Sequence, residues 1–452
     1  MQAASIQTMK RQADKRVIIG LGTTGLSVAR FLARQGLAFA VVDSRMNPPG
    51  LTELKSEFPG VEVHLGDFNS VLMDEAGQLI VSPGVAVSTP EISSAIETGA
   101  EVLGDIELFA RYVEKPVIAI TGSNGKSTVT ALLGEMVKAA GVSVGVGGNI
   151  GTPALDLLDD ENVDLYVMEL SSFQLETTSS LKAQAAVVLN VSPDHMDRYP
   201  SFDAYRQAKA VVYKNAKHCV VNRDEPESAA LAGECDCISY GLDEPVSNHD
   251  FGLRMIDGVA WLVHGDQLLC RASEIRMPGR HNVSNVLAAM ALAHCAGIDE
   301  AMGIEAAKIF PGLPHRCEWV GEWNGVSWFN DSKGTNVGAT VAALQGLQQT
   351  VVLIAGGQAK GAEFSELAKA VAGKTRAVVL FGEDASQIEV AIADRTKVIR
   401  ADDLADAVQE AKSVTQNGDV VLFSPACASF DMFDNYLHRG ESFVTEVRRI
   451  HS

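Results

Sequence analysis

Residues 117–141 read VIAITGSNGKSTVTALLGEMVKAAG, and their interpretation decides the fold of the chain. The apolar run Val117 to Ile120 reads as a buried strand. From Ser127 onward, apolar residues recur at helical spacing until Gly141 stops the helix. Between strand and helix lies TGSNGKST, residues 121–128. The common phosphate loop, G-x-x-x-x-G-K-[ST], needs its first glycine at position 120, which is Ile120 here; the glycine is Gly122 instead. The loop is short, but its chemistry suits an anion. Gly122, Ser123, Asn124 and Gly125 offer backbone N–H groups where the helix dipole is positive. Lys126 is a point charge for terminal phosphates, and the hydroxyls of Ser127 and Thr128 suit a phosphate or Mg2+. The bland alternative is a turn with an incidental lysine. The strand–loop–helix context favours a phosphate site.

Upstream, RVIIGLGTTGLSVARFLARQG is a second strand–loop–helix, with a strand at Val17 to Ile19 and glycines at 20, 22 and 25. The strand FAVVD follows and ends at Asp43. This βαβ pattern admits a dinucleotide, with Asp43, Ser44 and Arg45 placed to hold a ribose or base, or else a tight turn with close helix packing. Another strand ends in the turn Ser82-Pro83-Gly84. Downstream, VDLYVMEL and AQAAVVLNV read as buried strands and GRHNVSNVLAAMALAHCAG as a helix. Residues 222–276 are more polar and suggest a small antiparallel insert. After FPGLPHR come three more strands, TVVLIAGG, AVVLFG and DVVLFSP, with helices between them. The fold class is therefore α/β, with three consecutive domains and mainly parallel sheets. No internal repeat or low-complexity segment is visible.

The 452 residues suffice for three domains, and 46% apolar with 21% charged is a globular composition. The net charge of −20 argues against a nucleic-acid or anionic-membrane surface, so any anionic ligand must be held by local donors. No apolar run approaches a membrane span, and residues 1–16 lack the apolar middle of a secretory signal and read as a frayed leader. The seven cysteines are scattered without a Cys-x-x-Cys pair, which suggests reduced thiols, a cytoplasmic setting and no cysteine zinc site.

Glu169 ends a strand read as following the phosphate loop, where a Mg2+-binding carboxylate is useful. His195 lies between Asp194 and Asp197 at another strand end and suits metal or phosphate work or a structural role equally. Lys209, on the next helix, reads by itself as a solvated lysine. Asn282, Asn285, Arg316, Asp331 and Lys333 fall in polar stretches beside ordered segments and could read a base and ribose.

TGSNGKST resembles the ATP loop of the Mur ligases and folylpolyglutamate synthetases. GGNIG (147–151), ELSSFQLE (169–176), DHMDRYP (194–200), GRHNVSN (279–285), His315-Arg316 and NDSKGTN (330–336) are similar to Mur ligase motifs in the right order. GGQAKGAEF (356–364) and SPACASFDMFDNYLHRG (424–440) are similar to the D-glutamate-adding branch, and no DNPR stretch of the diaminopimelate- or lysine-adding branches is found. The resemblance covers the chain after the leader. It implies a UDP-binding Rossmann-like domain at 1–112, a central P-loop-type ATPase domain at 113–313 and a Rossmann-like amino-acid-binding domain at 314–452.

The implied reaction is amide formation driven by ATP, joining D-glutamate to UDP-N-acetylmuramoyl-L-alanine through an acyl phosphate in cytoplasmic peptidoglycan precursor synthesis. The resemblance implies catalytic roles for Lys126, Glu169, His195 and Lys209. It implies two Mg2+ ions on Ser127, Glu169, His195 and Lys209, the lysine carrying CO2 as a carbamate. It gives the UDP-sugar to Thr24, Ser44, Arg45, Ser82, Asn149, Gln174 and His195. D-glutamate would fall to Thr335, Lys360, Ser429 and Tyr436, a tyrosine where some relatives have phenylalanine. ATP would lie on residues 122–128 with Asn282, Asn285, Arg316, Asp331 and Lys333. A monomer without nucleic-acid or membrane partners is expected. The rivals are another Mur-type or folylpolyglutamate-type ligase, an NAD-dependent dehydrogenase built on Gly20 to Asp43, and a nucleotide-gated regulatory module.

Overall fold

Runs of Val, Ile, Leu and Ala bounded by glycine become parallel strands buried on both faces, and they gather into three successive sheets. The computed structural model describes residues 12–451 apart from 69, 234, 236 and 278. The first sheet is wholly parallel, in the order β3-β2-β1-β4-β5. Its strands are β1 (Gln12–Ile19), β2 (Phe39–Asp43), β3 (Glu62–Leu65), β4 (Ala76–Val81) and β5 (Glu101–Leu103). Helix α1 (Thr23–Arg34) packs close to β1: a Cβ on Gly25 would lie 2.0 Å from the Gly20 carbonyl oxygen, so only glycine allows the approach. Helix α2 (Asp105–Tyr112) leads out of this unit.

The second sheet has nine strands in the order β14-β13-β12-β11-β10-β9-β6-β8-β7. They are β6 (Val117–Thr121), β7 (Val144–Gly148), β8 (Leu165–Glu169), β9 (Ala185–Val188), β10 (His218–Asn222), β11 (Cys237–Tyr240), β12 (Phe251–Ile256), β13 (Val259–His264) and β14 (Gln267–Arg271). Its helices include α3 (Lys126–Ala139), the short α4 (Ser172–Leu175), α5 (Phe202–Ala210), α6 (Arg280–Cys295) and α7 (Glu300–Ile309). On α3, Val129, Leu132, Leu133, Met136 and Val137 are wholly buried in one core with Ile118, Ile120 and the apolar side chains of α6. Each such side chain contributes roughly 1.5–3 kcal/mol, which holds the helix, and the loop before it, in place. β6 is flanked by β8 and β9 rather than by β7, so its loop opens at a switch in strand order, where parallel sheets place ligands.

The third sheet runs β15-β16-β20-β17-β18-β19, with strands β15 (Glu318–Trp323), β16 (Val326–Asn330), β17 (Val351–Gly356), β18 (Thr375–Phe381), β19 (Val398–Arg400) and β20 (Val420–Phe423). All pairings are parallel except the β15–β16 hairpin. Helix α8 (Val337–Gly346) faces the second unit, and α9 (Tyr436–His451) closes the chain.

Several expectations are corrected. β1 begins at Gln12, inside the supposed leader, because backbone pairing with Ala76 of β4 needs no apolar side chains; residues 1–11 lie outside the described residues. The polar stretch 222–276 does carry antiparallel strands, but as an edge of the second sheet and not as a sheet of its own. β11 pairs in parallel with β10 and β12, and only β12–β14 form an antiparallel edge on the same sheet. β7, whose sequence VGVGG is rich in a poor strand former, was not foreseen. Two cysteines are also not thiols. Cys219 in β10 and Cys235 before β11 stand 6.1 Å apart at Cα and form a disulfide. Sixteen residues separate them, so the pairing of neighbouring strands brings them together, not local spacing.

Candidate functional site

The compact loop joins β6 to α3. Gly125 adopts φ 83°, and a Cβ there would come within 2.7 Å of the Asn285 side-chain oxygen on α6. The N–H groups of Ser123 and Asn124 donate to the carbonyl and side-chain oxygens of Asn190, just past β9. The loop is thereby braced, while the first-turn amides of α3 have no acceptor within their own helix. The Lys126 ammonium closes over the loop, donating to the carbonyls of Gly122 at 2.8 Å and Ser123 at 3.0 Å.

Lys209 is not the solvated lysine that its sequence context suggests. It is 2% exposed, and its Nζ donates to the same Gly122 carbonyl at 3.0 Å. Its Nζ also lies 4.6 Å from the centre of the Tyr205 ring, whose hydroxyl is 3.0 Å from Ser123 Oγ. Burial, then the neighbouring Lys126 charge, pushes the Lys209 amine well below the ordinary lysine range. Burial also lowers Lys126, opposed by Glu169.

Glu169 is not on the strand directly after the loop, since β7 intervenes in sequence. β8 nevertheless pairs with β6, and Glu169 sits opposite Ile120. The carboxylate is 1% exposed. Asn149 Nδ2 donates to Oε1 at 2.6 Å, and Oε2 has no partner among the described residues. His195 lies in the loop after β9 with φ 57°, its ring 4.8 Å from that of Phe173. Burial lowers its pKa, Asp194 opposes this, and Lys126 and Lys209 add to it.

The third unit completes the cluster. Arg316 donates through Nη2 to Ser127 Oγ, and Asn336 at the start of α8 bonds Asn124 and, at 3.2 Å, Asp194. Burial, followed by Arg316 and Lys126, depresses Lys333 to about 8. Asp331 accepts from Ser424 Oγ at 2.6 Å and from the Cys317 amide, and burial raises it to about 6. Four basic side chains, Lys126, Lys209, Arg316 and Lys333, thus surround the mouth of the loop with few carboxylates to balance them. A cavity of about 480 Å³ opens here between the second and third units, within the usual size of a ligand pocket. Gly125, Thr128, Asn282, Asn285, Arg316 and Lys333 are among its lining residues. So are Asp224, Tyr240, Leu242 and His281, which the sequence reading missed. The first three sit in stretches with no shared motif, and only the folded sheet brings them to the loop, whereas His281 lies within GRHNVSN beside Asn282.

The first sheet opens a second crevice. Thr24 lies in the first turn of α1, Ser44 and Arg45 are exposed after β2, and Ser82 Oγ donates to the Gly20 carbonyl at 2.9 Å. Asp43, read as a possible ribose ligand, is 2% exposed and already occupied: it accepts from the Leu21 amide at 2.7 Å and from the Arg45 guanidinium. The Asp43 carboxylate is thus engaged by the exposed Arg45 of the same loop. Gln174 is turned inward, donating to Asp105 Oδ2 at 3.0 Å while its oxygen accepts from Ser171. Arg198 ties the His195 loop to this crevice through the carbonyls of Pro83 and Val85. In the third unit Lys360 lies 5.0 Å from the Phe430 ring centre, Ser429 is buried, Thr335 precedes α8, and Tyr436 takes the Lys333 ammonium over its ring at 3.9 Å. Lys360 and Tyr436 thus have different partners, Phe430 and Lys333. The arrangement can grip a polyanion and a divalent cation between units. Among the described residues no helix is long and apolar enough to cross a membrane.

Three family models match: the Mur ligase MurD-like N-terminal domain over residues 14–104, the Mur ligase middle domain over 120–293, and the Mur ligase glutamate ligase domain over 315–427. The chain is 52% identical over 441 residues to a UDP-N-acetylmuramoylalanine--D-glutamate ligase of Nitrosococcus oceani, covering 97% of both chains. Among solved structures it resembles a pseudomurein peptide ligase type C of Methanothermus fervidus, at 20% identity and a TM-score of 0.61, over 97% of this chain and 100% of that one. It also resembles MurF ligase of Thermotoga maritima in complex with ADP, at 15% identity and a TM-score of 0.59, over 98% of this chain and 99% of that one.

Proposed function

The chain belongs to the Mur ligase family, and from that membership we infer that it is an ATP-dependent, ADP-forming ligase. It joins D-glutamate to UDP-N-acetylmuramoyl-L-alanine in peptidoglycan precursor synthesis. The observation that carries the reading is the convergence of Lys126, Lys209, Arg316 and Lys333 on a braced glycine loop, beside a buried carboxylate oxygen of Glu169 without a partner among the described residues.

A carboxylate is a poor electrophile at neutral pH. Transfer of the γ-phosphoryl group makes it an acyl phosphate, and the D-glutamate amine then displaces phosphate. Two anions must first meet, and the basic cluster offsets their repulsion in a partly dry cleft. On this reading Lys126 and the α3 amides hold the triphosphate, and Asn282, Asn285, Arg316, Asp331 and Lys333 hold the rest of the nucleotide. Thr24, Ser44, Arg45 and Ser82 hold the UDP end, with Asn149, Gln174 and His195 nearer the reacting carboxylate. Thr335, Lys360, Ser429 and Tyr436 receive D-glutamate. The unpartnered Oε2 of Glu169 fits a divalent cation, with Ser127 as its companion and His195 with Lys209 for a second. Mg2+ supplies charge neutralisation of the phosphates there. An ammonium cannot ligate Mg2+, but the depressed Lys209 amine can add to CO2, losing a proton to solvent and becoming a carbamate. All these groups come from one chain, so a monomer is sufficient, and both nucleotide substrates place the reaction in the cytoplasm.

Inorganic phosphate release with ATP, Mg2+ and UDP-N-acetylmuramoyl-L-alanine tests the reading. Release is expected with D-glutamate and not with L-glutamate, D-alanine or diaminopimelate. Release with another acceptor, or none with D-glutamate, overturns it.

A further inference from the structure

His264, His294 and Glu300 meet at the far end of the second unit from the nucleotide pocket. Three rigid elements deliver them. His264 ends β13, pairs with Phe251 of β12 and stacks on its ring at 4.2 Å. His294 lies in the last turn of α6, and Glu300 opens α7 directly after its cap, Asp299. The Nδ1 atoms of both histidines lie 2.8 Å from the same Glu300 oxygen, and the three candidate ligand atoms fall within 4.8 Å of one another. Asn282, which faces the nucleotide pocket, is twelve residues earlier on α6, about 18 Å along the helix.

We propose that His264, His294 and Glu300 form a binding site for a divalent ion of the zinc class, separate from the Mg2+ chemistry of the loop. The donor set, two imidazole nitrogens and one carboxylate oxygen, is one that zinc accepts with a fourth position left open. Magnesium, which wants oxygen ligands in an octahedron, suits it poorly. The charge state agrees. Glu300 is only 16% exposed, and no lysine or arginine among the described residues pairs with it. A divalent ion would neutralise it in a chain whose net charge is −20. His294, 38% exposed, leaves a path to water for entry and for the fourth ligand. Ligands about 2.0–2.2 Å from a tetrahedral ion stand about 3.3 Å apart. The 2.8 Å contacts therefore need to open by about half an ångström, which rotation of the partly exposed His294 ring and a shift of the Glu300 carboxylate, shared by both contacts, can supply. The ion would staple the antiparallel edge strands to α6 and α7.

The test uses the full chain, stripped with chelator and returned to excess Mg2+ so that the oxygen-ligand sites are filled. Zinc is then titrated by equilibrium dialysis, and cobalt is used as a visible-absorbing substitute. The expected result is one more zinc ion per wild-type chain than for His294→Asn or His264→Gln, or a loss of affinity of roughly tenfold or more in the variants. Zinc should raise the Tm of the wild type and not of the variants. Phosphate release in Mg2+ should be unchanged in His294→Asn. His294 is half-exposed, so that variant keeps the test valid even if His264→Gln fails to fold. Equal zinc content and equal Tm response in wild type and His294→Asn would overturn the proposal and leave a hydrogen-bonded triad only.

Discussion

Lys209 shows how much a single residue can hide. Its neighbours, YRQAKA, look like the polar face of a helix, and only the resemblance to Mur ligases singled it out. In the fold, α5 turns it under the loop, where it shares the Gly122 carbonyl with Lys126 and is nearly sealed from water. Burying a cation without a carboxylate partner is costly, so such a lysine shifts toward its neutral form. A neutral amine is the form that combines with CO2. Lys209→Ala should therefore lose at least about 100-fold in turnover, the usual cost of removing a charge-placing group. Acetate or formate, entering the vacated space as a carboxylate, should restore part of it. Near-normal turnover in Lys209→Ala, or no rescue by either anion, would remove Lys209 from the metal-binding role.

At the scale of elements, the apolar parallel strands were legible because burial on both faces writes them as runs of Val, Ile and Leu. β6, β8, β9, β17, β18 and β20 fall where those runs do. β7 and β1 were not fully legible, because glycine in one and polar residues in the other are tolerated by backbone pairing alone. Pocket residues such as Asp224 and Tyr240 were illegible for a related reason: their meaning lies in which strands become neighbours. Another such junction joins α2 to α4. Asp105 is 3% exposed, and its carboxyl accepts from Gln174 Nε2 with no cation beside it among the described residues. Burial raises its pKa from 3.8 to about 6. Between those values the folded chain keeps a proton that the unfolded chain has lost. The group's contribution is thus present at low pH and is lost as pH rises through about 6. Asp105→Asn keeps the acceptor without the charge. It should be more stable than wild type at pH 7.5, by up to about 3 kcal/mol, and the gap should narrow toward pH 5. Urea unfolding at both pH values measures this. A variant less stable at pH 7.5, with no narrowing on acidification, would refute the cause assigned to the shift.

At the scale of the whole molecule, the first two units share one apolar core, in which Leu26, Phe31 and Phe109 meet Leu155, Tyr166 and Met168, whereas the second and third touch through polar contacts. Arg198 meets the carbonyls of Pro83 and Val85 between the first two units. Arg316 with Ser127, and Asn336 with Asn124 and Asp194, join the second to the third. Each hydrogen bond is worth about 0.5–1.5 kcal/mol net, so the bridges between the second and third units are weak enough to break and remake. Working against them, Lys126 repels Arg316 and Lys333 across the cleft. A triphosphate reverses that balance, since it gives Lys126, Arg316 and Lys333 a common partner and ties the third unit to the loop. Small-angle scattering should therefore show a smaller radius of gyration with a non-hydrolysable ATP analogue and UDP-sugar than without. The value should move toward about 22 Å, which is that of one compact body of this length. Arg316→Ala, lacking the cation that reaches across, should show less compaction at saturating ligand. Superimposable curves for the free and bound wild type would mean that the units are already fixed and that the basic cluster does not drive their approach.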